Sequence, residues 1–225
     1  MEEFDNYSKS AVSFNSVIMK TFFWMFLGLA STGIVAFVTF NSDAFTSIIS
    51  AWPILALIEV VVVIAFHATL RKASASLVTA LFFIYSMING LTLSVIFAAY
   101  DLGSIALAFF GTAALFGGLA IIGYKTERDI TSLGTILFVG LIAGLIMSII
   151  NIFIGSEAFA ILIDWVIIAV FCGFTVYDMN KLKLMAESGD FPEEKVAIYC
   201  ALELYLDFIN LFIRILSLIG GRSRD

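Results

Sequence analysis

Residues 132–178 read SLGTILFVGLIAGLIMSIINIFIGSEAFAILIDWVIIAVFCGFTVYD, a long apolar run with a single turn signal at Gly155-Ser156. A helix needs about 20 mostly apolar residues to cross the hydrocarbon core of a bilayer. The run is too long for one crossing and long enough for two. We therefore expect two membrane helices joined at Gly155-Ser156, and this segment places the chain among the α-helical membrane proteins.

The composition of the whole chain leads to the same class. Of 225 residues, 61% are hydrophobic and 13% are charged, and the mean hydropathy is +1.06. Soluble domains are about half apolar and about a quarter charged, so a soluble domain of this size could not bury so much apolar surface. A soluble enzyme and a disordered tail are excluded. The net charge of −6 also argues against a nucleic-acid partner, and two Cys exclude a disulfide scaffold.

The apolar runs predict an all-α polytopic membrane protein, a seven-helix bundle formed by one transmembrane domain over residues 1–225. We place the seven spans at residues 21–40, 52–70, 77–99, 104–123, 132–155, 157–178 and 195–219. A six-span alternative would fuse or drop one span at Gly155-Ser156. We expect the lipid bilayer as the surrounding partner, a monomer, and no cofactor.

The basic residues of the short connections predict the orientation. The N-terminal tail and the second, fourth and sixth connections hold nine Lys and Arg residues, whereas the first, third and fifth connections hold none. The excess of Lys and Arg marks the cytosolic side, so the N-terminus is expected in the cytosol. Seven spans then put the C-terminal tail outside, although it carries Arg222 and Arg224. The alternative is a re-entrant last segment with the C-terminus inside.

The seventh span carries a polar stripe. Glu203, Asp207, Asn210 and Arg214 are spaced i, i+4, i+7 and i+11, which places them within about 60° of one another on a helix. Such a stripe must face the protein interior or water rather than lipid. It predicts an ion or proton path, or a helix held in the bundle by buried polar pairs. Asn210 or water is expected to bridge Asp207 and Arg214.

The sixth span adds a second carboxylate, Asp178, near its cytosolic end. Pro192 with Glu193 and Glu194 indicates the first turn of the seventh span. Asp178 lies about 14 Å of helix from the connection and Asp207 about 22 Å, so the two carboxylates are expected within about two turns of each other in depth. If they meet, they share one proton and form a pH sensor. Alternatively, Asp178 is an interfacial carboxylate beside Lys181.

The second span contributes Glu59, His67 and Arg71. His67 and Arg71 share a face, and Glu59 lies about 120° away from Arg71. Arg71 is at the same membrane side as Asp178 and could reach it. A lone His near an interface is more often a neutral packing residue than a switch. Asp164, near the outer end of span six, is expected to be hydrated.

At these residues a family resemblance is recognisable. Span six ends in VYDMNK, residues 176–181, and span seven reads ALELYLDFINLFIR, residues 201–214. Both segments resemble the hallmark segments of the Bax inhibitor-1 family, the transmembrane Bax inhibitor motif proteins, in a bacterial-type member. Further matches cover nearly all spans: IEV at 58–60, NGLTLS at 89–94, KTERDIT at 125–131 and IINIF at 149–153.

The resemblance implies a seven-helix bundle with a central seventh helix and a pH-sensitive calcium or cation leak. It implies that Asp178 and Asp207 are the proton sensor and gate, and that Glu59 and a basic residue, matched by Arg71, take part. Glu203, Asn210 and Arg214 are further candidates for the ion pathway or for a latch. Deprotonated Asp178 and Asp207 could offer transient oxygen ligands to calcium. A bacterial inner membrane is the expected location.

Two other functional classes were compared with the leak. A regulatory protein that binds a membrane protease, or a component of a cell-death or stress pathway, would use the polar stripe only to hold the bundle together. An intramembrane aspartyl protease would require a Gly-x-Gly-Asp motif, whereas Leu-Tyr-Leu precedes Asp207. We therefore expect no catalytic residues and no enzymatic activity.

Overall fold

The chain is almost entirely helical. The computed structural model describes residues 2–69 and 73–220, with side chains for 15–67 and 73–220. This part of the chain contains no strand. Its helices are α1 Glu2–Phe40, α2 Phe45–Thr69, α3 Ala75–Leu93, α4 Ile96–Ala99, α5 Leu102–Lys125, α6 Thr131–Ile154, α7 Glu157–Ser188 and α8 Glu193–Ile219.

Seven helical segments in the described ranges are long and apolar enough to cross a membrane. They are Asn15–Phe40, Phe45–His67, Ala75–Ala99, Leu102–Lys125, Thr131–Ile154, Glu157–Ser188 and Glu193–Ile219. Each overlaps one predicted span, and the third span includes α3 and α4. Large apolar side chains are exposed along these helices, for example Phe153 at 86% and Ile152 at 78%. Such surface is suited to lipid and confirms the seven-helix membrane fold.

The turn at Gly155-Ser156 separates two helices, as expected. Gly155 has a φ of +69°, a left-handed conformation that favours glycine, and its N–H donates to the Asn151 carbonyl. Ser156 then caps the next helix, because its Oγ accepts from the Phe159 N–H at 3.3 Å. Local backbone chemistry therefore ends α6 and starts α7 within two residues.

Helix α7 continues ten residues beyond Asp178, where the predicted span ends. Residues 179–188 are rich in Lys, Leu, Met, Ala and Glu, which are good helix formers even where hydropathy falls. The helix stops before Gly189, which has a φ of +67°. Helix α8 then begins directly after Pro192, as the Pro-Glu-Glu pattern predicts.

The chain forms two compact units. Unit 1 contains Met1–Asp101 and Leu182–Tyr205, and unit 2 contains Leu102–Lys181 and Leu206–Asp225. Helices α7 and α8 each contribute residues to both units. Within the span windows, 83% of α8 is buried, against at most 39% of any other span. This burial agrees with the central seventh helix that the family resemblance implies.

Glycines set the closest helix approaches inside each unit. In unit 1, a Cβ on Gly90 would lie 2.8 Å from the Thr32 carbonyl oxygen of α1. In unit 2, a Cβ on Gly123 would lie 2.5 Å from the Val176 carbonyl oxygen of α7. Only a residue without a side chain allows these backbones to come so close.

Candidate functional site

The two aspartates that were predicted to sense protons are both buried in unit 2. Asp178 on α7 is 7% exposed and Asp207 on α8 is 3% exposed. A carboxylate removed from water strongly disfavours its charged form unless other groups compensate it. Both carboxylates therefore lie where buried acids were predicted, and their role as a pH sensor stays a prediction. Their direct pairing stays a prediction.

The backbone that carries Asp178 is held firmly by neighbouring helices of unit 2. Besides the close approach at Gly123, a Cβ on Gly134 of α6 would lie 2.6 Å from the Tyr177 ring. The Asn180 amide donates to the Thr126 carbonyl at 2.9 Å. These contacts lie on either side of Asp178 in the sequence, so its backbone is held by packing against α5 and α6 and by one hydrogen bond to the connection between those helices.

Glu203 in the polar stripe lies beside the single His of the chain. The His67 Nε2 atom is 3.7 Å from Glu203 Oε1, and the two side chains are 40% and 9% exposed. The His67 Nδ1 atom lies 2.8 Å from the Val63 carbonyl, and the imidazole packs edge-on against Tyr199. The pair becomes an ion pair only when His67 is protonated. The sequence led us to expect mainly a packing role for His67, and it did not indicate that Glu203 would lie beside the imidazole.

Arg214 pairs with Asp164 of α7. Its Nη1 atom donates to Asp164 Oδ1 at 2.9 Å, and Ser217 Oγ donates to Asp164 Oδ2 at 2.8 Å. Asp164 is 6% exposed, so the expectation of a hydrated carboxylate is wrong. The Asn210 amide donates to the Leu206 carbonyl of its own helix at 2.8 Å, rather than forming the expected bridge from Asp207 to Arg214.

An open cavity of about 700 Å³ adjoins this pair in unit 2. Its lining is largely apolar, with Leu115, Ile161, Trp165 and Ile168 among its residues, and Glu157, Asp164 and Ser217 add polar atoms. We assign the cavity no role in the ion pathway.

Glu59 belongs to a hydrogen-bonded network in unit 1 that the sequence analysis missed. Glu59 Oε1 accepts from Thr92 Oγ1 at 2.6 Å and from Asn89 Nδ2 at 3.3 Å. Tyr205 of α8 donates its hydroxyl to Asn89 Oδ1 at 2.9 Å and lies 2.6 Å from Thr32 Oγ1. The sequence signal was a set of hydrogen-bonding residues inside apolar spans, but residue spacing could not show that four helices bring them together.

Two features of the predicted site, the contact of Arg71 and the calcium contact, are not tested by the described residues. Arg71 lies outside the described residues, so its proposed contact with Asp178 stays a prediction. Among the described residues, no group of three or more His, Cys, Asp and Glu side chains could hold a metal ion. The transient calcium contact expected at Asp178 and Asp207 likewise stays a prediction.

Comparison with known proteins identifies the family. The family described as "Inhibitor of apoptosis-promoting Bax1" matches residues 14–224. "Inner membrane protein YbhL" of Escherichia coli K12 is 36% identical over 226 residues, covering 97% of each chain. An uncharacterized protein of Borreliella burgdorferi is 35% identical, covering 94% of each chain. An uncharacterized membrane protein of Streptococcus pyogenes serotype M1 is 33% identical, covering 95% of this chain and 96% of its own.

These matches extend over nearly the whole chain, and they confirm the resemblance that was first recognised in residues 176–181 and 201–214. The described chain has the seven membrane-spanning helices that the resemblance implies. The relatives whose names describe them are membrane proteins. The chain therefore belongs to the Bax inhibitor-1 family.

Proposed function

We propose that this protein is a pH-sensitive leak for calcium or similar cations across a bacterial inner membrane, gated by protonation of Asp178 and Asp207. The observation that carries the proposal is the burial of both carboxylates in unit 2, at 7% and 3% exposure. A buried acid pair that shares a proton carries one negative charge less than the ionised pair. Protonation of the pair therefore changes both the repulsion between the two carboxylates and the number of charged oxygens that they can offer to a cation.

The chemistry of the pair suits a hard cation. Loss of the shared proton leaves two negative carboxylates that repel each other, and separation relieves the repulsion. The separated oxygens are ligands that calcium prefers. Flux should therefore rise as the pH increases through the titration of the pair.

The fold and a relative support the proposed location. Seven helices of this chain can cross a membrane, and the Escherichia coli relative is named an inner membrane protein. The distribution of Lys and Arg favours a cytosolic N-terminus. With this orientation, Asp178 lies toward the cytosolic half of the membrane, where a gate would control entry into the cell.

Calcium entry into liposomes that contain only the purified protein tests the proposal. An indicator inside the vesicles would be followed at pH values on either side of neutrality. We expect faster entry on the alkaline side and loss of the pH dependence in Asp207→Asn. Asp190→Asn serves as the control, because Asp190 is an exposed carboxylate in the connection between α7 and α8. The absence of protein-dependent flux would refute the leak, and an unchanged pH profile in Asp207→Asn would refute the gate.

A further inference from the structure

A continuous chain of hydrogen-bonding groups runs through unit 1. It starts at Glu59 of α2 and passes through Asn89 of α3, Tyr205 of α8 and Thr32 of α1, and it ends at the Ser86 carbonyl of α3. The successive donor–acceptor distances are 3.3, 2.9, 2.6 and 2.8 Å. The last four residues are at most 5% exposed, so water cannot readily replace a missing contact.

Proton counting shows that ionised Glu59 leaves this chain one proton short. A carboxylate can only accept, so the Asn89 amide must donate to it and turn its oxygen toward Tyr205. The single hydroxyl proton of Tyr205 is then used on Asn89, which leaves one proton, that of Thr32, for two contacts. Thr32 can donate at 2.8 Å to the Ser86 carbonyl or at 2.6 Å to the Tyr205 hydroxyl, so one of its two contacts contains no proton.

A proton on Glu59 removes the shortage by reversing every bond. Protonated Glu59 can donate to Asn89 if the amide rotates by half a turn, an exchange of nitrogen and oxygen that hardly changes the shape of the side chain. Asn89 then donates to Tyr205, Tyr205 to Thr32, and Thr32 to the Ser86 carbonyl. All four contacts now contain one proton each.

We propose that Glu59 is a proton-binding site whose occupancy sets the direction of the hydrogen-bond chain from α2 to the contact between α1 and α3. With Glu59 protonated, Thr32 donates to Ser86 while it accepts from Tyr205, whereas with Glu59 ionised the single proton of Thr32 is divided between the contact with Tyr205 and the contact with Ser86. This contact is sensitive because Gly90, one turn further along α3, already meets the Thr32 backbone closely. Glu59 and its hydrogen-bond chain belong to unit 1, whereas Asp178 and Asp207 belong to unit 2, and proton binding by Glu59 does not depend on calcium transport.

The groups that face Glu59 define its surroundings. Thr92 and Asn89 bond to its carboxylate, and it interacts electrostatically with Tyr85 of α3 and Tyr205 of α8. Protonated Glu59 could donate to Thr92 instead of Asn89. The Thr92 Oγ1 atom also lies 2.9 Å from the Asn89 carbonyl, so it could accept from Glu59 and donate onward. The experiment must separate this short route from the long chain.

Infrared difference spectra of the protein in lipid, recorded between acidic and alkaline pH, test the proposal. Tyr205→Phe identifies the C–O stretching band of Tyr205, and Glu59→Gln identifies the carboxylic acid band of Glu59. We expect the Tyr205 band to shift with the same pH midpoint as the Glu59 band, because the hydroxyl changes its acceptor without ionising. The shift should be lost in Glu59→Gln and retained in Thr92→Val.

Three outcomes would overturn the proposal: a Tyr205 band that does not respond to pH, a response that persists in Glu59→Gln, or a response that Thr92→Val abolishes. Thr32→Val provides a second variant if Glu59→Gln does not fold. It removes the terminal hydroxyl and the contact with Ser86, so protonation no longer gains a bond. The pH at which the Glu59 band titrates should then move, and an unchanged midpoint would equally contradict the chain.

Discussion

The guanidinium of Arg214 donates to Asp164 at 2.9 Å, so the cation of the polar stripe on α8 is neutralised by an acid on α7. Helical spacing had suggested that Asn210, which lies between Asp207 and Arg214 on the stripe, would bridge these two residues. The observed pair assigns Arg214 and Ser217 to Asp164 and separates them from the proposed gate. The stripe thus has a structural ion pair at one end, at Arg214, and its two carboxylates, Glu203 and Asp207, toward the other end.

Removal of Asp164 should destabilise the protein. Breaking a buried ion pair by deleting one partner costs about 3–5 kcal/mol, because the remaining charge is left in a poorly solvated place. Arg214 is 30% exposed, so we expect Asp164→Ala to cost about 3 kcal/mol, near the lower end of that range. Thermal unfolding in detergent measures the loss. Glu157→Ala, at the exposed start of the same helix, is the control, and equal effects of both variants would show that the pair adds little.

The close contact at Gly123 predicts a second, position-specific loss of stability. In Gly123→Ala the new Cβ would lie 2.5 Å from the Val176 carbonyl oxygen and 2.9 Å from Met179 Cβ, so helix α5 must move away from α7. Overpacking of this kind costs about 1–3 kcal/mol. Gly118→Ala on the same helix meets no atom within 4 Å and should be neutral or stabilising. A melting temperature that is equally low in both variants would contradict this explanation.

The sequence predicted the parts of this molecule that depend on local chemistry. Seven apolar runs, the turn at Gly155-Ser156 and the start of α8 after Pro192 each follow from hydropathy or backbone preferences within a few residues. The polar stripe was also visible, since helical periodicity fixes which residues share a face.

The partners of the polar residues could not be predicted in the same way. Arg214 and Asp164 are 50 residues apart, and Tyr205 and Asn89 are 116 apart. Periodicity gives the face of one helix, but not which neighbouring helix meets that face or at what depth. Asp164 was therefore expected at a hydrated position, although α8 brings a guanidinium and a hydroxyl to it.

Asp129 should contribute pH-dependent stability at the start of α6. Its carboxylate accepts from both the N–H and the hydroxyl of Thr131, and these bonds hold the pKa of Asp129 below its ordinary value. A lowered folded-state pKa gives stability that is present above the unfolded pKa and is lost as the pH falls through the folded pKa. Asp129→Ala should therefore have a slightly lower melting temperature than the wild type at neutral pH. The difference should shrink in acid, as measured by melting temperature against pH.

The control for this prediction is Glu127→Ala, which removes another exposed carboxylate from the same connection. Thr131→Val removes the donor hydroxyl and should reproduce part of the effect of Asp129→Ala. A difference between wild type and Asp129→Ala that stays constant or grows in acid would contradict a stabilising role for the bonds between Asp129 and Thr131.

The excess of basic residues in alternate connections predicts the orientation of the chain, and single cysteines can test it. Cys172 and Cys200 are first replaced by Ala, and a cysteine is placed at the exposed position Asp43 or Glu127. A membrane-impermeant maleimide should label Asp43→Cys in intact cells and Glu127→Cys only after permeabilisation. These positions lie in the first and fourth connections, which seven spans place on opposite sides. Labelling in the reverse pattern would place the N-terminus outside.

If Asp178 and Asp207 share one proton, the effects of replacing each of them on the pH dependence of calcium entry should not be additive. Groups that titrate as a pair have apparent pKa values that belong to both, so removing either carboxyl removes the shared site. In the liposome assay, Asp178→Asn, Asp207→Asn and the double variant should all lose the pH dependence of calcium entry to the same extent. Asp190→Asn should keep the wild-type profile. Two single variants that each retain a distinct pH response, lost only in the double variant, would show independent sites and refute the shared gate.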